Sequence, residues 1–364
     1  MFSEVQFLVC CRRFSAIPSE EGTTDFLEVV LWESFLSMSF ECYQQLVQVL
    51  IKGSAVLATV TNIKGSVPRE VGAKMIIGAD GGIINTIGGG AGEAKVIRQA
   101  LQVLETGEKQ FVEIDLSGAA QRETQGVCGG RMLVWLERWS GESAIALSQN
   151  ILQLLKVGQS VTVITPFTPH QQPYLLDHNA PIPQLENAFI EQINPPPTLL
   201  IIGAGHVGEQ LAKFAHLIGF QIAIQDDRTE FANAEKFPQA NLILTQPITE
   251  AIDNFAAFSQ LYVALVTRGY VYDLEALQIL LNRAISCKYI GMIGSEKRVK
   301  LVYQKLQEAG ISPELLKNIY APIGLEIGAL TPEEIAVSIC AELILVRRGG
   351  TAKSMSEGIR KLLA

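Results

Sequence analysis

The feature that most limits how this chain can fold is an uninterrupted apolar run, Thr198-Leu199-Leu200-Ile201-Ile202, followed at once by Gly203-Ala204-Gly205-His206-Val207-Gly208. A strand that is apolar at every position suits a parallel sheet buried on both faces. Gly-x-Gly-x-x-Gly says little alone. Here it leaves a strand and opens a helical pattern that runs to Ile218 and stops at Gly219. The next strand pattern, Phe220 to Gln225, ends at Asp226, 23 positions after Gly203, close to the spacing of a ribose-binding carboxylate. Glycines at 203, 205 and 208 let the backbone approach a phosphate, and the helix N-terminus attracts its charge. The competing reading is that these glycines serve only the tight turn and the packing of helix on strand. His206 stands inside the turn, where it faces a ligand or caps the helix.

Strand patterns recur at Asn241 to Leu244, Leu261 to Val266 and Lys288 to Ile293, separated by helical patterns, most clearly Asp273 to Ile285. Residues 198–350 therefore predict a Rossmann-like doubly wound parallel sheet, an α/β fold. Its last helix is bounded by a Thr331/Glu334 capping box with Pro332 in the first turn, and by Arg347-Arg348 and Gly349 at the end. Two loops at strand ends face the side where such sheets bind ligands. One is Thr267-Arg268-Gly269. The other is Gly294-Ser295-Glu296-Lys297-Arg298, whose cations suit a phosphate or form a solvated helix face.

The N-terminal half reads as a mixed α/β domain over residues 38–138. A helix is expected from Glu41 to Lys52, then strands at Ala55 to Asn62, Ala73 to Ile77 and Ile83 to Ile87, the last two joined by an Asp80-Gly81-Gly82 hairpin turn. Gly88-Gly89-Gly90 precedes a helix from Glu93 to Thr106. Strands follow at Phe111 to Leu116 and Met132 to Leu136, with Gly126-Val127-Cys128-Gly129-Gly130 between them. Consecutive backbone N–H groups at Gly88, Gly89 and Gly90 are able to cradle an anion, or the segment is simply a mobile turn. Cys128 is either a small buried hydrophobe or a thiolate that holds a soft metal or accepts sulfur. Residues 139–197, with a helical pattern from Ser143 to Leu155, a strand pattern from Ser160 to Thr165 and then many prolines ending in Pro195-Pro196-Pro197, read as a connector. Residues 1–37 show no sustained period and match either an upstream extension before Met38 or a poorly ordered tail. Residues 351–364 form a C-terminal tail.

Composition narrows the partners. The chain of 364 residues carries a formal charge of −8 and no long Lys/Arg run, which argues against nucleic acid or an anionic membrane surface. No apolar run reaches the roughly 18 residues of a membrane helix. The six cysteines are scattered without a Cys-x-x-Cys pair, so the expected setting is a reducing, cytoplasmic one.

Several motifs in order then resemble the XdhC/CoxI family of accessory proteins for molybdenum hydroxylases. In the N-terminal half they are Ala58-Thr59-Val60, Gly65-Ser66-Val67-Pro68-Arg69, Gly72-Ala73-Lys74-Met75, Thr86-Ile87-Gly88-Gly89-Gly90, Glu93 and Cys128-Gly129-Gly130. In the C-terminal half they are Gly203 to Gly208, Asp226-Asp227-Arg228, Thr267-Arg268-Gly269, Gly291 to Ser295, Ala321 to Gly328 and Thr331 to Ala336. The resemblance implies a protein without turnover of its own. Such a protein binds the molybdenum cofactor (molybdopterin, a pterin with a dithiolene-bound metal and a phosphate) and protects it. It supports sulfuration by a cysteine desulfurase and inserts the cofactor into an apo molybdenum hydroxylase of the xanthine dehydrogenase type. It also implies a homodimer, which nothing in the residues themselves shows. On this reading Gly88, Gly89, Gly90, Glu93, Gly203, Gly205, His206, Gly208, Asp226, Arg268 and Ser295 bind the cofactor, and Cys128 is the ligand to its molybdenum.

The chain departs from the family pattern in two places. Gly90-Ala91-Gly92 stands where many relatives carry a cysteine after the first glycine loop, and Tyr270 stands where relatives often carry histidine. Two rival functions stay open. One is an NAD(P)-dependent oxidoreductase, favoured by Asp226 and the glycine fingerprint but lacking any Tyr-x-x-x-Lys proton donor. The other is a docking scaffold whose Rossmann fold binds nothing.

Overall fold

The computed structural model describes residues 38–116, 129–177 and 180–356. The expectations for residues 1–37, for Cys128 and for the end of the C-terminal tail lie outside the described residues. The chain divides into two compact units that meet in sequence at Pro195/Pro196, with residues 157–159 counted in the second.

Unit 1 contains α1 (Met38–Lys52), β1 (Ala55–Lys64), β2 (Lys74–Gly78), β3 (Ile83–Ile84), α2 (Gly90–Thr106), β4 (Gln110–Asp115), β5 (Arg131–Trp139), α3 (Gly141–Lys156), β6 (Val161–Pro166), β7 (Tyr174–Leu175) and β8 (Ala188–Ile193). Five strands pair in the order β3-β2-β1-β5-β4, every pairing antiparallel. Alternation along the strands decides what lies on each face. Val56, Ala58, Val60, Met75 and Ile77 pack against Val96, Ala100 and Val103 of α2. Ala55, Leu57 and Ile76 turn the other way and join Leu46 and Leu50 of α1 with Ile151 and Leu155 of α3. Both faces are covered, which is why β2 and the first six residues of β1 are buried at every position.

The expected proline-rich connector is a folded part of unit 1. Its helix α3 and the three-stranded sheet β7-β6-β8 bury Ile151, Leu155, Val161, Val163 and Ile193 in the same core as α1. The prolines sit where no ladder N–H is required: Pro166 closes β6, Pro173 precedes β7, and Pro181 and Pro183 lie between β7 and β8. The third strand is also shorter than expected. Asn85 adopts φ 65° and leads the chain out of the sheet after Ile84.

Unit 2 contains β9 (Thr198–Ile202), α4 (His206–Leu217), β10 (Gln221–Gln225), β11 (Leu242–Leu244), α5 (Ile248–Asp253), β12 (Leu261–Leu265), α6 (Tyr270–Leu280), β13 (Tyr289–Met292), α7 (Glu296–Glu308), α8 (Pro313–Leu316), β14 (Ile319–Tyr320) and α9 (Pro332–Arg348). Its six strands are parallel in the order β11-β10-β9-β12-β13-β14, the doubly wound order expected from the sequence. Helices α4 and α9 cover one face, and α5, α6 and α7 cover the other. The strand order reverses at β9, so the crevice above the C-terminal ends of β9, β10 and β12 is where this architecture binds ligands. The last helix has the expected capping box, with Thr331 and Glu334 exchanging hydrogen bonds, and ends at Gly349 in the left-handed region.

Candidate functional site

The three glycines of the β9–α4 turn do three different things. Gly203 sits at φ +116°, and a Cβ there would lie 2.5 Å from the Val266 carbonyl oxygen. A Cβ on Gly208 would lie 2.2 Å from the carbonyl oxygen of Gly203, so this glycine sets how closely α4 approaches β9. Gly205, which caps α4 in extended conformation, has no atom within 4 Å of an added Cβ. Two glycines thus serve packing, and the middle one leaves a backbone edge open at a helix N-terminus, where anions are favoured. His206 opens α4 and is exposed, with no hydrogen bond to the described residues.

Beside this turn lies a cavity of about 180 Å³ with a floor of Ile202, Pro247 and Ile248, and with Asp226, Asp227, Arg268 and Tyr272 on its walls. Asp226, at the end of β10, is nearly enclosed. Its Oδ2 accepts from the Ala204 N–H at 2.8 Å and from Arg228 Nη2 at 2.8 Å, and its Oδ1 accepts from Arg228 Nε at 2.8 Å and from the Arg228 N–H at 3.2 Å. Burial pushes this carboxyl up, but the bonds from Arg228 and Ala204 outweigh it and hold the group at about 2. Arg268 grips Asp227 with two 2.9 Å bonds, donates to the Tyr272 hydroxyl and lies 4.4 Å over the Tyr272 ring. It also stands 3.7 Å from Asp226 Oδ1.

The neighbouring loops are locked by a second network. Asp273 is fully buried. It accepts from the Thr267 hydroxyl at 2.7 Å and from Arg298 Nε at 2.8 Å, while Arg298 Nη2 donates to the Thr267 hydroxyl at 2.8 Å. Burial raises the Asp273 carboxyl, against the pull of Thr267 and Arg298. Ser295 accepts the Arg298 N–H and caps α7. Arg298 of α7 is therefore tied to Thr267, after β12, and to Asp273 of α6, and neither Arg298 nor Ser295 is among the residues lining the cavity.

In unit 1 the glycine loop is filled from within. One oxygen of Glu93 accepts the Thr86 hydroxyl at 2.5 Å and the N–H groups of Ile87 and Gly89 at 3.1 Å each. The carboxylate occupies the place of the anion expected there, so these N–H groups are already spent. Gly88 is needed because a Cβ at φ +137° would lie 2.4 Å from the Pro68 ring. Gly65 packs on Gly129 and Gly130, which draws the residues beside Cys128 to this end of the sheet. Gly89 and Gly90 have no atom within 4 Å of an added Cβ.

No group of His, Cys, Asp and Glu among the described residues is able to hold a metal ion. Burial pushes the thiols of Cys42 and Cys287 up to about 11 and that of Cys340 to about 12, so the protonated form is favoured at all three. No helix among the described residues is long and apolar enough to cross a membrane. Of the residues the sequence offers as cofactor-binding in this half, Gly203, Asp226 and Arg268 line one cavity; Gly205, His206 and Gly208 belong to the adjoining turn and are not among its lining residues. Sequence reasoning missed that Arg228 saturates Asp226 and that Tyr272 supports Arg268. Both pairs lie close in sequence, but Asp226, Arg228 and Arg268 stand in loops, so no helical spacing announces either pairing.

Comparison with known proteins follows this division. Residues 199–343 match the XdhC Rossmann domain, and residues 52–115 match the XdhC and CoxI family. The uncharacterized protein YqeB of Escherichia coli (strain K12) is 29% identical over 80% of this chain, which spans only 43% of the length of YqeB. The molybdenum cofactor insertion chaperone PaoD of the same organism is 26% identical over 83% of this chain and 86% of its own length. A crystal structure described as a xanthine dehydrogenase from Bacillus halodurans is 26% identical. It covers 87% of this chain and 99% of its own, with a TM-score of 0.66.

Proposed function

This protein belongs to the XdhC and CoxI family, and from that premise we propose that it binds the molybdenum cofactor and inserts it into a molybdenum hydroxylase of the xanthine dehydrogenase type. The likeness to PaoD, named as an insertion chaperone, supports the reading. The observation that carries it is the open backbone edge at Gly205 beside a cavity in which Asp226 is paired with Arg228 and Asp227 with Arg268, while Glu275 accepts the Thr249 hydroxyl. In this crevice the Thr267 hydroxyl is engaged with Asp273 and Asp226 with Arg228, so a phosphate-bearing ligand would meet the turn backbone and Arg268.

The cofactor is cargo in this reading, and the residues fit its two ends differently. Its phosphate suits the crevice beside the α4 N-terminus, where Arg268 lines the cavity. Taken by itself, unit 1 carries a soft donor in its sequence, Cys128, which the family resemblance makes the candidate ligand for molybdenum. The open outer side of Gly89 and Gly90 lies in the same unit. Glu93 holds that loop in shape rather than touching the ligand. Sulfuration by a cysteine desulfurase and release to the apo-enzyme belong to this proposal.

The test is to purify the full chain from cells that make the cofactor and to quantify molybdenum and oxidised pterin per chain. Near-stoichiometric pterin that falls in Cys128→Ala is the expected result. Absence of both metal and pterin, with tight NADH binding in the same preparation, would move the assignment to an NAD(P)-dependent oxidoreductase.

A further inference from the structure

The crevice of unit 2 holds an imbalance between acceptors and donors. A carboxylate offers about four lone-pair positions, and Asp226 has filled them with Ala204 N–H, Arg228 N–H, Arg228 Nε and Arg228 Nη2. A ribose hydroxyl reaching this carboxylate would have to evict Arg228 or the turn amide. The position that ordinarily accepts a free ribose diol is therefore closed. Donors, by contrast, are left over. A guanidinium carries five N–H groups. Arg228 spends two side-chain donors on Asp226, and Arg268 spends three on Asp227 and Tyr272. The rest have no acceptor among the described residues.

The two guanidiniums also stand together. Arg228 and Arg268 lie 2.8 Å and 3.7 Å from the same oxygen, Asp226 Oδ1, and they are 32% and 37% exposed. Their mutual repulsion lowers the affinity of Arg228 for its proton, against the stronger effect of Asp226. Each is braced by an aromatic ring, Arg228 over Phe231 at 4.0 Å and Arg268 over Tyr272 at 4.4 Å, so little side-chain freedom remains to be lost on binding. Arg268 lines the cavity together with Asp226, Asp227 and Glu275; Arg228 is not a lining residue and meets Arg268 at the shared oxygen Asp226 Oδ1. An oxygen-rich dianion between them would satisfy the unspent donors and relieve the repulsion. Asp227, with one bond on each oxygen, keeps room for a neighbouring hydroxyl donor.

We infer that this crevice selects ligands that place a phosphate monoester against Arg228 and Arg268, and that it discriminates against ligands that present an unphosphorylated ribose diol to Asp226. Two sources share this chemistry: the 2′-phosphate of a nicotinamide dinucleotide and the phosphate of the pterin cofactor. The second source rests on the function proposed above; the first does not.

The experiment uses the full chain from cells unable to make the pterin, titrated with NADPH and with NADH, alongside the full chain from cells that make it. Charge-assisted bonds of this kind predict NADPH binding roughly tenfold to a hundredfold tighter than NADH. Arg228→Gln removes donors and unmasks Asp226, so the preference should invert. Arg268→Gln leaves the Asp226–Arg228 pair intact and should weaken NADPH while sparing NADH. If the pterin is the natural source, both variants should lose pterin while their melting curves stay cooperative. NADH binding as tightly as NADPH overturns the inference. So does a chain that binds neither dinucleotide and whose pterin content is absent or ignores both arginines. Preference for NADPH in a chain that never carries pterin would support this inference and sink only the cofactor-insertion reading.

Discussion

The two glycine turns of this chain look alike in sequence and are built to opposite ends. Each lies between a strand and a helix, and each has a carboxylate bonded to its backbone. In unit 1 the carboxylate comes from the helix that the turn opens. Glu93 lies on the first turn of α2 and takes the N–H groups of Ile87 and Gly89. In unit 2 it comes from the neighbouring strand. Asp226 takes only the Ala204 N–H and is neutralised by Arg228, which leaves the Gly205 edge exposed. A turn that supplies its own anion has spent its electrostatic field on shape. A turn whose acid is drawn aside by an arginine keeps that field for a ligand.

The largest test of this contrast is steric. Gly208→Ala drives a Cβ to 2.2 Å from the Gly203 carbonyl oxygen, and backbone on both sides cannot yield as a flexible side chain would. The expected loss is about 3 kcal/mol, the upper range for overpacking a tight site. Gly90→Ala meets no atom and bears only the strain of φ +70°, about 1 kcal/mol. Urea unfolding of the two variants measures both, and equal losses would show that the turns are packed alike.

What the sequence made legible follows from how local each feature is. The apolar β9 strand, the glycine spacing and the Asp226 position are set within about thirty residues, and all lie as the pattern implies. The α9 capping box is read within four. The reading failed where tertiary packing decided. The prolines of residues 139–197 suggested a linker, yet Val161, Val163 and Ile193 bury a sheet whose prolines lie only at its ends. Glu93 looked like a ligand because a helix-opening acid after glycines is ambiguous: only the path of Thr86 to Gly89 shows that the acid folds back on its own loop. The Asp273–Arg298 pair spans 25 positions, and no short motif announces it.

A smaller effect separates the two turns by pH. Asp226 titrates at about 2, below its ordinary 3.8, because its bonded, charged form is favoured in the folded protein. Its contribution is complete above about pH 5 and is lost as the pH falls towards 2. A displacement of nearly two units corresponds to about 2 kcal/mol. Asp226→Asn removes this contribution, so the stability difference between wild type and variant should shrink steadily between pH 5 and pH 3. A constant difference would mean that Asp226 acts through packing rather than charge.

The smallest effect on stability bears most on function. Gly205 has open space around an added Cβ and an ordinary negative φ of −79°, so Gly205→Ala should change unfolding free energy by less than about 0.5 kcal/mol. The same methyl would stand between the α4 N-terminus and any phosphate approaching it. The mutation should therefore weaken retention of a phosphate-bearing ligand, whether pterin or dinucleotide, in a protein that melts as the wild type does. Among the glycines of the β9–α4 turn it alone dissociates the two properties, because Gly203 and Gly208 fail on packing first. Unchanged ligand binding in Gly205→Ala would mean that the open backbone edge is not a phosphate site, and unit 2 would then differ from unit 1 in shape but not in purpose.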